Sequence, residues 1–212
     1  MSEKRLFFPA DSFQLEGLLA LPEESRSARV AVICHPHPLY GGDMHNNVVM
    51  AVAREMIGRG IAALRFNYRG VGASQGSYGQ GVGEMADVRG AIDFLAQTEF
   101  GSQGEIYLVG YSFGALVGTR VAMKDERIRG WVGIAPPIDH YDLSFLKGDR
   151  KPKLLVCGDN DVYCSVSSLE RLFADLQEPK AMAVIPRADH FFVGREAAVA
   201  QRVGEFLGEK ED

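Results

Sequence analysis

The chain has 212 residues, 46% of them hydrophobic and 24% charged, which fits one globular domain over residues 1–212 and excludes a disordered or fibrous chain. Its 23 basic and 28 acidic residues leave a net charge of −5, which offers no general attraction to nucleic acid or to an anionic membrane surface. Cys34, Cys157 and Cys164 form no CxxC pair. Neither a disulfide framework nor a cysteine zinc site is expected, and a reducing, cytoplasmic setting is.

The N-terminal MSEKRLFFPADSF lacks an apolar stretch ending in a small-residue cleavage site. No apolar run approaches the ~18 residues that would span a bilayer. A first strand or hairpin arm is expected at Leu15 to Leu21, paired with Arg5 to Phe8. Ala28 to Cys34 (ARVAVIC) is a nearly continuous apolar run, the pattern of a strand covered on both faces. Similar runs follow at Ile61 to Phe66, Ile106 to Val109, Trp131 to Ala135, Lys153 to Cys157 and Met182 to Ile185.

Helical stripes alternate with these strands. Val48, Val49, Val52 and Met56 share one face, as do Met85, Val88, Ile92 and Leu95. Leu169, Leu172, Phe173 and Leu176 form a third stripe, with Ser167 and Glu170 spaced for a capping box. Val199, Val203 and Phe206 mark a terminal helix. The alternation predicts an α/β fold with a mostly parallel central sheet, helices on both faces, and functional residues at the carboxyl ends of the strands.

Gly110-Tyr111-Ser112-Phe113-Gly114 falls between a buried strand and a helical stretch, so it satisfies G-x-S-x-G in the strand–turn–helix context that exposes a serine. A serine hydroxyl is a weak nucleophile and needs a base, usually histidine, with a group to orient that base. In the chain order serine, acid, histidine, only His190 of the five histidines lies beyond the acidic pair Asp159 and Asp161. Either carboxylate leaves a buried strand in Cys157-Gly158-Asp159-Asn160-Asp161; Asp161 is the preferred acid because the first aspartate of such a turn tends to bond its own backbone.

The segments GYSFGA, CGDND and RADHFF, in that order, resemble the α/β-hydrolase superfamily across nearly the whole chain. CHPHPLYGGDMHNNVV and RFNYRGVGASQGS are similar to small bacterial hydrolases of the dienelactone-hydrolase-like group. That resemblance implies nucleophile Ser112, base His190 and acid Asp161. Dienelactone hydrolase itself uses cysteine, so its substrate does not carry over to a serine elbow. A serine carboxylesterase-like hydrolase is implied instead. The lack of an insertion after Pro137 implies a lidless site for small or short-acyl esters.

Acyl transfer also needs backbone donors for the developing oxyanion. Phe113, following the nucleophile, should supply one. Pro36 and Pro38 have no N–H, which leaves His35 and His37 in the loop after Ala28 to Cys34, and the family alignment puts His37 there. Tyr40 and Tyr111 are candidate substrate-binding walls. His35 and His37 form an HxH spacing near Asp43 and His45, but without further ligands at metal-hydrolase spacing no metal is expected, and no cofactor is. The glycine run from Gly70 to Gly76 reads as a flexible loop beside the site, since no helix starts close enough behind it to receive a pyrophosphate. Arg65 and Arg69 read as structural ion-pair partners. The expected partner is a small-molecule ester, with no nucleic acid and no membrane. An acyltransferase or thioesterase on the same three residues, or a non-catalytic binding protein of this fold, are the alternatives.

Overall fold

Ser2–Ala10 (β1) and Phe13–Leu21 (β2) pair antiparallel across a two-residue turn, where Asp11 takes a positive φ of 50°. The computed structural model describes residues 2–23 and 29–208, so Ala28, the expected start of the next strand, lies outside the described residues. Arg29–Cys34 (β3), Ala62–Phe66 (β4), Glu105–Tyr111 (β5), Ile128–Ile134 (β6), Lys153–Gly158 (β7) and Lys180–Ile185 (β8) complete an eight-stranded sheet ordered β1-β2-β4-β3-β5-β6-β7-β8. β2 pairs antiparallel with β4, and every pairing from β4 to β8 is parallel. Each expected strand is present; β6 starts three residues early, at Ile128, and β5 runs two further, to Tyr111.

Asn47–Gly58 (α1), Val82–Ala96 (α2), Glu99–Gln103 (α3), Phe113–Ala122 (α4), Val166–Asp175 (α5) and Glu196–Gly208 (α6) cover the sheet. α1 packs on α6, and α2 packs on α4. Val30 to Cys34 are all buried, as a strand sandwiched between helix layers requires. Phe8, Phe66 and Phe94 stack into the core beside β1, and Trp131 fills its other end, its indole N–H donating to Asp149 at 2.6 Å. The cap of α5 falls two residues before the expected one. Ser165 is the cap, accepting from the Ser168 N–H, while its own N–H donates to Asp139, so Ser167 and Glu170 lie inside the helix.

β5 and α4 meet at an angle that leaves no room for side chains at the crossing. A Cβ on Gly110 would lie 2.6 Å from the Ala115 Cα, and one on Gly114 would lie 2.7 Å from the Cys34 carbonyl carbon. The glycines flanking the serine are therefore a packing requirement of the junction between β3, β5 and α4. Between β4 and α2 the glycine run is not loose. The Glu16 carboxylate receives the Ala73 N–H and the Asn67 amide, and Asp87 holds both the main chain and the guanidinium of Arg69. The flexible loop expected from composition is a pinned one, because buried carboxylates supply the acceptors that its N–H groups need.

The end of β3 is tied to the end of β4 by His35. Its Nε2 accepts from the Tyr68 N–H at 3.1 Å, so the proton sits on Nδ1, which donates to the Pro36 carbonyl at 2.7 Å. The residue is fully buried, and burial pushes its pKa down to about 4. Arg65 pairs with Glu3, and Arg69 with Asp87 and Asp11, as structural ion pairs.

Two outcomes test these features. Gly110→Ala should destabilise the fold by about 1–3 kcal/mol in urea unfolding. Gly148→Ala, where a Cβ meets nothing within 4 Å, should stay within about 0.5 kcal/mol of wild type. His35 binds its proton more weakly when folded than the usual ~6.5 of a free histidine, so its neutral-state contribution is complete above that value and is lost as pH falls toward 4. Between pH 7 and 4.5, wild type should lose about 2–3 kcal/mol more stability than His35→Gln, by urea unfolding at both pH values.

Candidate active site

Ser112 is the hinge between β5 and α4, with φ 53° and ψ −115°, a conformation that L-residues rarely adopt. It is held there from both sides: its N–H donates to the Ile134 carbonyl at 2.8 Å, and its own carbonyl receives the Ala115 and Leu116 N–H groups. The turn projects Oγ off the sheet edge to 2.9 Å from His190 Nε2.

His190 comes from the loop after β8, and Asp161 from the loop after β7. The imidazole Nδ1 lies 3.0 and 2.9 Å from the two Asp161 oxygens, and the Asp161 side chain is fully buried. A carboxylate only accepts, so Nδ1 carries the proton and Nε2 presents its lone pair to the serine hydroxyl. Asp161 also accepts the N–H groups of Tyr163 and Cys164, at 2.8 and 2.9 Å, which compensates the loss of water around its charge.

Asp159, the other carboxylate of the acid loop, does a different job. It is exposed and accepts the Ala188 N–H at 3.1 Å; the Arg187 main-chain N–H leads in holding its carboxyl below the usual range. The Asn160 N–H returns to the Ala188 carbonyl at 2.9 Å. A Cβ on Gly158 would fall 2.7 Å from the Ala188 carbonyl carbon, so the two loops can lie backbone to backbone. Asp189 caps its own loop through the Phe191 N–H.

Across the serine, the Phe113 N–H stands in the first turn of α4, where no intrahelical acceptor exists. The His37 N–H likewise has no protein acceptor among the described residues. The rings of these two residues touch, with centroids 4.7 Å apart. Tyr40 is 87% exposed and tilts against His37. Tyr111 departs from its expected place on a substrate wall. It is buried, and its hydroxyl donates to the His190 carbonyl at 2.7 Å, so it fixes the histidine loop from behind; burial pushes the phenol up and keeps it a donor.

The HxH pair does not converge. His35 is buried toward Tyr68, while His37 Nδ1 accepts from the Leu39 N–H and its Nε2 meets the Tyr78 hydroxyl. Sequence reading missed Tyr78 and Tyr163. Tyr163 lays its ring 4.7 Å from the His190 ring, and its place two residues after Asp161 was the one signal available. The three cysteines are free and buried, and burial pushes Cys34 up to about 12.

Two solved structures share this fold at more than 25% sequence identity. The chain is similar to an alpha-beta serine hydrolase homologue from Coxiella burnetii, at 32% identity, 98% coverage of this chain and 97% of that one, with a TM-score of 0.87. It is similar to an α/β serine hydrolase without lid from Xanthomonas campestris, at 27% identity, 98% and 94% coverage, with a TM-score of 0.88. An uncharacterized protein of Rickettsia prowazekii is 33% identical over 211 residues, covering 96% of this chain and 88% of that protein. Residues 11–158 match the family described as X-Pro dipeptidyl-peptidase (S15 family). A match over well more than half its length, on a lidless sheet carrying a serine elbow, places this chain in that family of α/β serine hydrolases.

Proposed function

We propose that the protein hydrolyses small, uncharged carboxylic esters through a covalent acyl-enzyme formed on Ser112. The observation that carries the reading is the continuous line from the Ser112 hydroxyl through His190 to Asp161, with both bonds at 2.9 Å and the acid fully buried. Ser112 Oγ attacks the ester carbonyl carbon while His190 Nε2 takes its proton. The carbonyl π electrons move onto oxygen, which the N–H groups of Phe113 and His37 receive. The tetrahedral adduct collapses, the C–O bond to the alcohol breaks, and His190 returns the proton to the leaving oxygen. Water, deprotonated by the same nitrogen, then releases the acid and restores the serine. Asp161 keeps Nδ1 protonated throughout, so Nε2 stays available as the base.

The surroundings favour an apolar, neutral substrate. Leu39, Tyr40, Tyr141, Val162 and Phe191 are exposed on loops that follow β3, β6, β7 and β8, at the same end of the sheet as Ser112. Apolar area gathered at one edge is the usual mark of a recognition surface. No helix among the described residues is long and apolar enough to cross a membrane.

Ser112→Ala should lower kcat on short nitrophenyl esters by roughly 10⁴-fold or more and abolish fluorophosphonate labelling. A variant that keeps the wild-type rate removes Ser112 as nucleophile, and an X-Pro nitroanilide turned over faster than any ester moves the protein to peptidase chemistry. The two aspartates should separate cleanly. Asp161→Asn should cost about 10⁴-fold in kcat by fixing the wrong imidazole tautomer, while Asp159→Ala should stay within about 10-fold because it touches only the loop. Equal losses in steady-state assays would overturn the assignment of the acid.

A further inference from the structure

We infer that Tyr78 is a positioning residue for the oxyanion donor, acting through the His37 imidazole. This rests on the esterase reading above and deepens it. The loop after β3 turns its donors inward on one residue. The N–H groups of Tyr40 and Gly42 both donate to the His37 carbonyl at 3.1 Å, and the Leu39 N–H donates to His37 Nδ1 at 3.2 Å. Pro36 and Pro38 lack an N–H, and the His37 N–H has no protein acceptor among the described residues, which leaves it free to meet a substrate oxygen.

Nδ1 can accept only when the proton is on Nε2. Nε2 therefore donates to the Tyr78 hydroxyl oxygen, 3.1 Å away across the cleft. The ring also touches three rings set at a tilt to it, with Tyr40 and Phe113 centroids at 4.7 Å and Tyr78 at 5.1 Å. Tyr78 is itself anchored. The next N–H, of Gly79, and that of Gly81 each donate to the buried Glu84 carboxylate at 2.7 Å. A fixed path thus runs from Glu84 in α2 through Tyr78 and the His37 imidazole to the His37 N–H.

The path works only with neutral His37. Glu84 from α2 favours the charged ring, Tyr78, its own phenol pushed up by burial, faces it uncharged beside the Tyr40 ring, and burial outweighs Glu84 and keeps the ring neutral. A proton added at Nδ1 would oppose the Leu39 N–H and release the turn. The contact therefore holds a catalytic N–H in place without Tyr78 touching the reacting atoms.

Tyr78→Phe keeps the ring and removes the acceptor. It should lower kcat about 10-fold with KM near wild type, well short of the ~100-fold or more for loss of an oxyanion donor. The rate of Ser112 phosphonylation, which builds the same charge on oxygen, should fall by the same factor, while the urea midpoint stays within error. In a His37→Asn background, whose side chain can still cap Leu39, the Tyr78→Phe change should have no further effect on kcat. Wild-type kcat in Tyr78→Phe, a loss carried by KM, or multiplicative losses in the double variant would each overturn the proposal. Wild-type protein that neither hydrolyses esters nor reacts with a fluorophosphonate would remove the esterase reading and this proposal together, an outcome distinct from normal labelling with an indifferent Tyr78.

Discussion

Every functional distance in this molecule is measured from one backbone conformation. Ser112 is held at φ 53° with no glycine to relieve it, a strain of order 1–3 kcal/mol in such positions. Three main-chain hydrogen bonds offset that cost, one to β6 and two to α4. The conformation also dictates the neighbouring residues. If β5 is to turn straight into α4, the residues on either side of the crossing must be without Cβ, and β3 must lie against Gly114. The order β4-β3-β5-β6 puts the turn in the middle of the sheet, so loops from both sides can reach it.

His190 is kept in place less by the sheet than by a second clamp. Asp159, Asn160 and Gly158 bind the acid loop to Ala188 in the histidine loop, and Tyr111 reaches from β5 to the His190 carbonyl. Asp161 can then meet His190 with both oxygens near Nδ1 while its remaining capacity goes to the Tyr163 and Cys164 N–H groups. The two carboxylates are two residues apart and chemically identical. One is exposed and ties backbone to backbone; the other is buried and orients a ring. Burial and the donors around each decide the division of labour.

Most of this architecture was readable from the residues, and the exceptions share a cause. Continuous apolar runs pointed to β3 to β7 because strands buried on both faces need apolar residues at nearly every position, while β8, a half-exposed edge strand, kept a shorter run. That Ser112, Asp161 and His190 come together was readable because residues of this kind at strand ends follow a set chain order. Tyr111 was misread because sequence shows an aromatic beside the nucleophile but not which way it points; alternation along β5 turns it behind the site. Tyr78 was invisible because its partner is 41 residues away and the intervening glycine run suggested mobility. The carboxylates that pin that run, Glu16, Glu84 and Asp87, belong to β2 and α2, so only the fold brings acceptor and donor together. The Ser165 cap was missed for the same reason: its N–H is held by Asp139, 26 residues earlier.

The site thus consists of two halves fastened independently to one fixed point. On one side the loops after β7 and β8 bind each other and bring His190 to the Ser112 hydroxyl. On the other the loop after β3 and the segment before α2 bind each other through His37 and Tyr78. The halves meet at the elbow and along the edge of the Phe113 ring, which touches His37 while its own N–H opens α4. On the proposed ester hydrolysis, a change that loosens the first half would remove proton transfer; one that loosens the second would leave Ser112 intact and weaken only the stabilisation of charge on oxygen. Because that charge exists only in the tetrahedral species, damage to the second half should fall on kcat and spare substrate binding. An open, lidless cleft makes this division more important. Without a lid to exclude water, preorganised N–H groups must supply the electrostatic advantage, and they can do so only if their loops are held by side chains as firmly as these are.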